Sequence, residues 1–325
     1  LSFNENPQAI NPPNHYVYSA NNQPDSIAGM LYPGYYLPEN RAKRIVNLLE
    51  PKNDWDKESA SEMITDVTSS VEPTIIADLA KLIDINLLNE TGLKAIDGLK
   101  MWNGNYNLQS VEATVYNRWI YYYLKNTFKD ELGEELFTQF LSTHFMKRLI
   151  APLSRNESSV WWDDVSTTNV VENMKDIVNK SFAEAIESLE NDFGKNSEKW
   201  EWKYVHTIEH GHPIGQIAAL RSFFNVGPYP IEGSREVINN LGFSYDDSGL
   251  YKTSSGPSTR RIIDFSDIEN SISILPTGQS GNPFSRHYRD QAEMFVKGEF
   301  RKMMMNQDEI KENAKSTLML MPSMK

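Results

Sequence analysis

The chain reads as an α+β protein with β-rich ends and a long helical insertion between them. Three observations carry that reading. Short apolar runs rich in β-branched or aromatic residues appear late, at Arg261–Phe265 and Ile272–Leu275, each bounded by polar turn formers. Between residues 41 and 199 the apolar positions recur instead at three and four, the spacing of amphipathic helices. Glycine and proline gather in Pro276-Thr277-Gly278-Gln279-Ser280-Gly281-Asn282-Pro283, which admits neither ladder nor helix and forces a shaped loop. The expected division is residues 1–40 with 200–325 as the β-rich part and 41–199 as the insertion.

In chain order, residues 1–40 are dense in asparagine and proline, with one β-like run, Tyr16-Val17-Tyr18, leading into Ser19-Ala20-Asn21-Asn22. This predicts a strand that delivers two asparagines to a turn, where either tolerates a left-handed backbone. From Pro38 the pattern is helical, with Arg41, Ile45, Leu48 and Leu49 on one face and Pro51 ending it. An arginine in the first turn opposes the helix dipole, so Arg41 is either a solvated charge or is used by something else. Lys43 and Arg44 read as surface.

Helical periodicity continues from 59 to 99 and is expected to break at Glu90-Thr91-Gly92, followed by a short helix ending near Gly98. Trp102-Asn103-Gly104-Asn105 is a turn before a helix, Val111–Lys125, whose Val115, Trp119 and Tyr122-Tyr123 pack inward. Two more amphipathic helices are expected over Glu131–Leu153 and Asn169–Phe193, separated by the Trp161-Trp162-Asp163-Asp164 loop. From Trp200 to His206 the alternation is β-like. Ile231–Ser234 and Phe243–Asp247 read as short strands or hairpin edges, and Leu318-Met319-Leu320 as a last strand. After the Gly-Pro loop a helix runs from Ser285 through Tyr288, Gln291 and Phe295 to Gly298.

Composition narrows the function classes. A chain of 325 residues buries a sizeable core, and a net charge of −12 with no basic stripe argues against nucleic acid or an anionic membrane as partner. No apolar run approaches the ~20 residues of a membrane span, so a soluble protein is expected. With Cys 0, thiol nucleophiles and cysteine-ligated metals are excluded. The chain opens on Leu1, so an upstream segment is expected.

Three blocks in fixed order, GPSTRRIIDFSD, LPTGQSGNP and SRHYRDQ followed by Gly298, resemble the C-terminal signature of the penicillin acylase (penicillin amidase) family of N-terminal-nucleophile hydrolases. The resemblance extends to HYVYSANNQP and ENRAKRIVNLLE near the start, and it is weakest between about 130 and 195. It implies the C-terminal portion of a four-layer αββα Ntn-hydrolase fold and a bacterial, periplasmic or secreted location. In the family a precursor cleaves itself, and the freed N-terminal serine attacks a linear N-acyl amide with its own α-amine, of pKa about 8, as base. Ser2 with Phe-Asn-Glu-Asn-Pro does not resemble that nucleophile strand. The nucleophile is therefore expected in a missing upstream part of the same precursor, and this chain alone is expected to be inactive.

The resemblance assigns two site residues, both catalytic. Asn21 matches the asparagine whose side-chain amide donates to the oxyanion, and Arg41 matches an arginine that organises the site near the nucleophile. No cofactor or metal is assigned to this chain; a structural calcium of the intact enzyme would take most ligands from upstream. The substrate is a small N-acyl amide, penicillin being only the namesake and acyl-homoserine lactones equally open.

Two rivals compete. His206-Thr207-Ile208-Glu209-His210 spells the His-x-x-Glu-His of inverted zinc peptidases, which needs both histidines on one helix face. The strand-like flank and Gly211-His212-Pro213 deny the helix, so His206, His210 and His212 are expected in a turn between strands, bonded to backbone. Ser280 lacks a Gly-x-Ser-x-Gly elbow and reads as a turn residue. A non-catalytic binding module is the remaining alternative.

Overall fold

A computed structural model describes residues 2–26 and 29–322. The chain divides into two compact units, one from residues up to 53 and from 63 to 257, the other from 54–62 and 258 onward.

The larger unit is built on helices. The chain reaches α1 (Asn40–Leu49), whose face carries the predicted apolar positions. Helix α2 (Lys57–Ile64), most of which belongs to the smaller unit, does not run on as the periodicity implied. An extended stretch intervenes, with Thr68 bridged to Asn105, before α3 (Glu72–Leu79). Gly104 makes that approach feasible, since at φ 84 any Cβ would lie 2.2 Å from the Ser69 carbonyl oxygen. Glu90-Thr91-Gly92 is the first turn of α4 (Glu90–Met101) rather than a break. Asn89 caps it by accepting from Gly92 N at 2.7 Å, which outweighs the propensity cost of one glycine.

Helix α5 (Val111–Leu141) changes course at Gly133, whose φ of 70 is non-helical. It is buried nearly all round in its first half, with Trp119, Ile120 and Tyr123 fully enclosed. Each such side chain contributes roughly 2–3 kcal/mol of apolar burial. Trp119 meets Phe182 of α7 (Met174–Phe193) edge-on at 4.9 Å. Arg118 of α5 pairs with Asp192 of α7 at 2.9 Å, and α6 (His144–Leu153) lies between the two in sequence.

Beyond α7, Trp200–Tyr204 forms turns rather than the expected strand. Trp202 leaves the ladder because its backbone N bonds Ser110 O and its indole N bonds Gly233 O, each at 3.0 Å, anchoring it in the core. The strand begins one step later as β1 (His206–His210), antiparallel to β2 (Val226–Pro230) and parallel to β3 (Tyr251–Thr253), in the order β2-β1-β3. A short helix α8 (Arg221–Phe224) connects β1 to β2.

The smaller unit holds the expected pair of strands, β4 (Arg260–Ile262) and β5 (Ile272–Ile274), antiparallel with Arg260 opposite Ile274. The third strand is β6 (Arg301–Lys302), not the tail. Leu318, Met319 and Leu320 are exposed and join no ladder. The helix after the loop is shorter than predicted. Residues 285–291 are turns, and α9 (Ala292–Val296) ends before Gly298 at φ 72, the left-handed residue expected there. The last helix is α10 (Gln307–Asn313). Tyr16-Val17-Tyr18 is extended without a ladder partner among the described residues, so the asparagines arrive on irregular chain rather than on a strand. No helix of the described residues is long and apolar enough to cross a membrane.

Candidate active site

Asn21 and Arg41, twenty residues apart, meet in space. Arg41 Nη2 donates to Asn21 Oδ1 at 2.8 Å and to the Ala20 carbonyl at 2.7 Å. A second tie closes the loop between them, Leu37 N donating to Asn21 O at 2.8 Å. Asn21 takes a left-handed φ of 61, which asparagine tolerates better than most residues.

The arginine also decides which way the carboxamide points. A guanidinium has donors and no acceptor, so the group facing it is the amide oxygen. The Asn21 Nδ2 hydrogens are then turned away from Arg41, on an exposed side chain, and donate to nothing among the described residues. A neutral N–H donor held by a fixed cation is a group that stabilises negative charge developing on a carbonyl oxygen without a proton that could be lost. Asn22 is occupied differently. Its Oδ1 accepts from Ala20 N and its Nδ2 donates to Gln23 O, both at 3.2 Å, so its amide closes the turn.

Helix α1 holds Arg41 in place. Its Arg44 is not a surface charge, since it grips Asp66 by two bonds, Nε to Oδ1 at 2.9 Å and Nη2 to Oδ2 at 2.6 Å. Lys43 does lie at the surface, 3.3 Å from Glu39. The backbone oxygen of Asp66 in turn accepts from Asn239 N at 2.9 Å, which ties α1 to the 231–242 segment.

That segment and its neighbours carry a buried charge cluster that no motif announced. Glu72, Arg235 and Glu236 are all buried, and Lys147 Nζ stands 3.8 Å from Glu236 Oε1. Burial pushes the Glu72 carboxyl up to about 8, against hydrogen bonds from Tyr106 and Ser69. Burial likewise raises Glu236, opposed by the positive fields of Arg235, Lys147 and Arg41. The Arg235 guanidinium lies 4.1 Å from the Tyr245 ring centre, a stacked cation in a dry site. Asn117 links Tyr106 and Tyr245, donating to the first at 3.1 Å and accepting from the second at 2.9 Å. These residues, at positions 72, 117, 147, 235 and 236, share no spacing that a sequence pattern could register.

The rival motifs resolve on geometry. His206, Glu209 and His210 lie on strand β1 rather than in a turn. At about 3.3 Å per residue, His206 and His210 stand roughly 13 Å apart along the strand, too far for one tetrahedral ion. His206 is fully buried, bonds the Tyr251 carbonyl through Nδ1 at 2.6 Å, and is held neutral with its pKa pulled down to about 4 by burial. Glu209 is committed to Arg221. Among the described residues no three His, Asp or Glu side chains are grouped to hold an ion.

The loop blocks of the smaller unit are architectural. Gln291 accepts from Leu275 N at 3.0 Å through its side chain and donates from its backbone N to Thr277 O at 2.9 Å. Gly278 is required because a Cβ there would lie 2.1 Å from the His287 carbonyl oxygen. Ser280 Oγ accepts from Asn282 N at 3.1 Å, the turn role expected of it. His287 is bracketed by Asp290 at 2.8 Å and by Arg286, which donates to its Nε2 at 3.0 Å, leaving no free base beside Ser280.

This mixed helix-and-sheet frame is shared with a solved acylase. The thermostable penicillin G acylase from Alcaligenes faecalis superposes with a TM-score of 0.59 at 16% identity, over 100% of this chain and 60% of that one. The penicillin amidase family profile matches residues 1–312, and the chain belongs to that family. Among curated relatives, an acyl-homoserine lactone acylase QuiP of Pseudomonas aeruginosa is 27% identical over 295 residues, covering 82% of this chain and 34% of the relative. The penicillin acylase 2 proenzyme of a Pseudomonas strain is 24% identical, covering 88% of this chain and 36% of the relative. The chain therefore spans about a third of the length of these relatives.

Proposed function

We propose that this chain is the oxyanion-side part of an N-acyl amide hydrolase whose serine nucleophile lies on an upstream segment of the same precursor. The observation that carries the reading is the Arg41–Asn21 hydrogen bond, which leaves an oriented Nδ2 donor at the surface. Family membership and the acylase names of the relatives support it.

In this reading the N-terminal serine, deprotonated by its own α-amine, adds to the amide carbonyl carbon. The carbonyl oxygen takes up the negative charge, and Asn21 Nδ2–H donates to it. One such donor is worth about 3 kcal/mol at the transition state. Arg41 keeps the carboxamide from rotating and adds a positive field behind it. The tetrahedral intermediate collapses, the amine leaves with a proton from the α-ammonium, and water releases the acid from the acyl-serine.

The substrate class is a linear N-acyl amide, and the relatives make an acyl-homoserine lactone the first compound to try. A periplasmic or secreted location belongs to the same proposal. The test compares this chain alone with the chain supplied with a serine-led upstream segment, using a chromogenic phenylacetyl amide and an N-acyl-homoserine lactone. The chain alone is expected to turn over neither, and the reconstituted pair to cleave at least one. Turnover by the chain alone, above a denatured control, would overturn the assignment of the nucleophile to another segment.

A further inference from the structure

Arg41 poses an electrostatic question that its hydrogen bonds do not answer. Both oxygens it grips, Ala20 O and Asn21 Oδ1, are neutral, and it makes no direct ion pair among the described residues. It is half-buried in the first turn of α1, where the helix dipole is also positive. A guanidinium in that position needs a counter-charge. Among the described residues Glu236 is the carboxylate whose field bears on it, raising an Arg41 pKa that burial lowers.

Glu236 is placed to act at a distance. Its side chain is 8% exposed, and Oε1 lies 3.8 Å from Lys147 Nζ, beyond hydrogen-bond reach. No group hydrogen-bonds that oxygen among the described residues, so the fields of Arg235, Lys147 and Arg41 act on a carboxylate oxygen that no hydrogen bond occupies. A cavity of about 40 Å³ is lined by Glu236, Lys147 and Arg235 together with Pro38 and Asn40, which immediately precede Arg41 on the chain. Glu236 and the first turn of α1 thus face one enclosed space. The Arg44–Asp66 side-chain pair and the backbone bond from Asn239 N to Asp66 O fix that arrangement.

We propose that Glu236 is a positioning residue: its buried carboxylate is the counter-charge that holds Arg41, and through Arg41 it orients the Asn21 carboxamide for the oxyanion. This rests on the reading of Asn21 as the oxyanion donor. Lys147 and Arg235 share the role of keeping Glu236 ionised, since both pull its carboxyl down against burial. Glu72, the other buried carboxyl of the cluster, is itself raised by Glu236 and favours the charged form of Arg235.

The experiment is a double-mutant cycle in the matured full-length enzyme with the amide it is found to cleave. Glu236→Gln keeps the shape and removes the charge. It is expected to lower kcat by about 10-fold with KM unchanged, the scale seen when a residue behind a site group is lost. In an Asn21→Ala background the same substitution is expected to cost less than about 2-fold, because there is no donor left to orient. Glu236→Asp, which keeps the charge, is expected to recover most of the loss, and it carries the same cycle if the glutamine variant does not mature. An unchanged kcat in Glu236→Gln, or an equal loss in both backgrounds, overturns the proposal. If Asn21→Ala itself leaves kcat unaltered, the oxyanion reading fails instead, so the two failures are distinct.

Discussion

Replacing Glu72 by glutamine should make the protein more stable at alkaline pH and change little at acid pH. Glu72 is 5% exposed, and burial lifts its carboxyl from an ordinary 4.5 to about 8. The folded state therefore keeps a proton that the unfolded chain releases once pH passes 4.5. Stability is fully present below that value, declines as pH rises towards about 8, and levels off above it. At about 1.4 kcal/mol per pH unit the whole window is worth roughly 2–5 kcal/mol, the lower figure allowing for relaxation around the ionised group. Glutamine copies the protonated carboxyl and does not titrate. Urea unfolding at pH 5 should find Glu72→Gln within about 1 kcal/mol of the parent, and at pH 8.5 more stable by roughly 2–5 kcal/mol, with the same m-value. A residual slope is expected from Glu236, whose carboxyl is also raised. Parallel pH curves for parent and variant would refute the reasoning.

Two further outcomes are expected. Gly104→Ala should cost about 2 kcal/mol or more, since φ is 84 and the new Cβ would meet backbone at 2.2 Å; a melting temperature within a degree of the parent would contradict this. The dialysed chain should hold no stoichiometric zinc by elemental analysis, and His206→Ala should lower thermal stability. One zinc per chain, lost in that variant, would return the metallopeptidase reading.

Several elements were legible because their signals are local. The paired strands β4 and β5 announce themselves by β-branched runs between turn formers, and α7 by a long periodic face. The start of α4 is equally local: Asn89 accepts from Gly92 N, and that cap outweighs the break the glycine suggests. Where tertiary contacts decide, the sequence misleads. Trp200–Tyr204 alternates like a strand, yet Trp202 is claimed by Ser110 and Gly233, and the alternation is spent on burying indoles. Leu318–Leu320 has strand composition yet pairs with no sheet edge and lies exposed.

The candidate site divides the same way. Asn21 and Arg41 were visible through the family resemblance and through an arginine standing where a helix dipole opposes it. Their hydrogen bond was not, because nothing in the sequence between them registers whether the two side chains meet. The cluster of Glu72, Lys147, Arg235 and Glu236 was invisible, as its members come from three distant stretches and look like ordinary surface charges. The Gly-Pro loop and the His-Tyr-Arg-Asp-Gln block carry the most specific motifs of the chain. Their side chains make internal bonds, Gln291 to Leu275 N and His287 to Asp290.

What the Asn21 amide does in the matured full-length enzyme is asked most directly by kcat measured for Asn21→Ala beside Asn22→Ala. Removal of an oxyanion donor acts where negative charge develops, so Asn21→Ala should lower kcat by ~10²–10³ with KM little changed. Asn22→Ala gives up the acceptor for Ala20 N at 3.2 Å and should cost about 1 kcal/mol of stability with kcat nearly intact. Maturation of each variant is checked by gel, since a block in self-cleavage would imitate a catalytic loss. A matured Asn21→Ala enzyme whose kcat stays within a few-fold of the parent would contradict the oxyanion assignment.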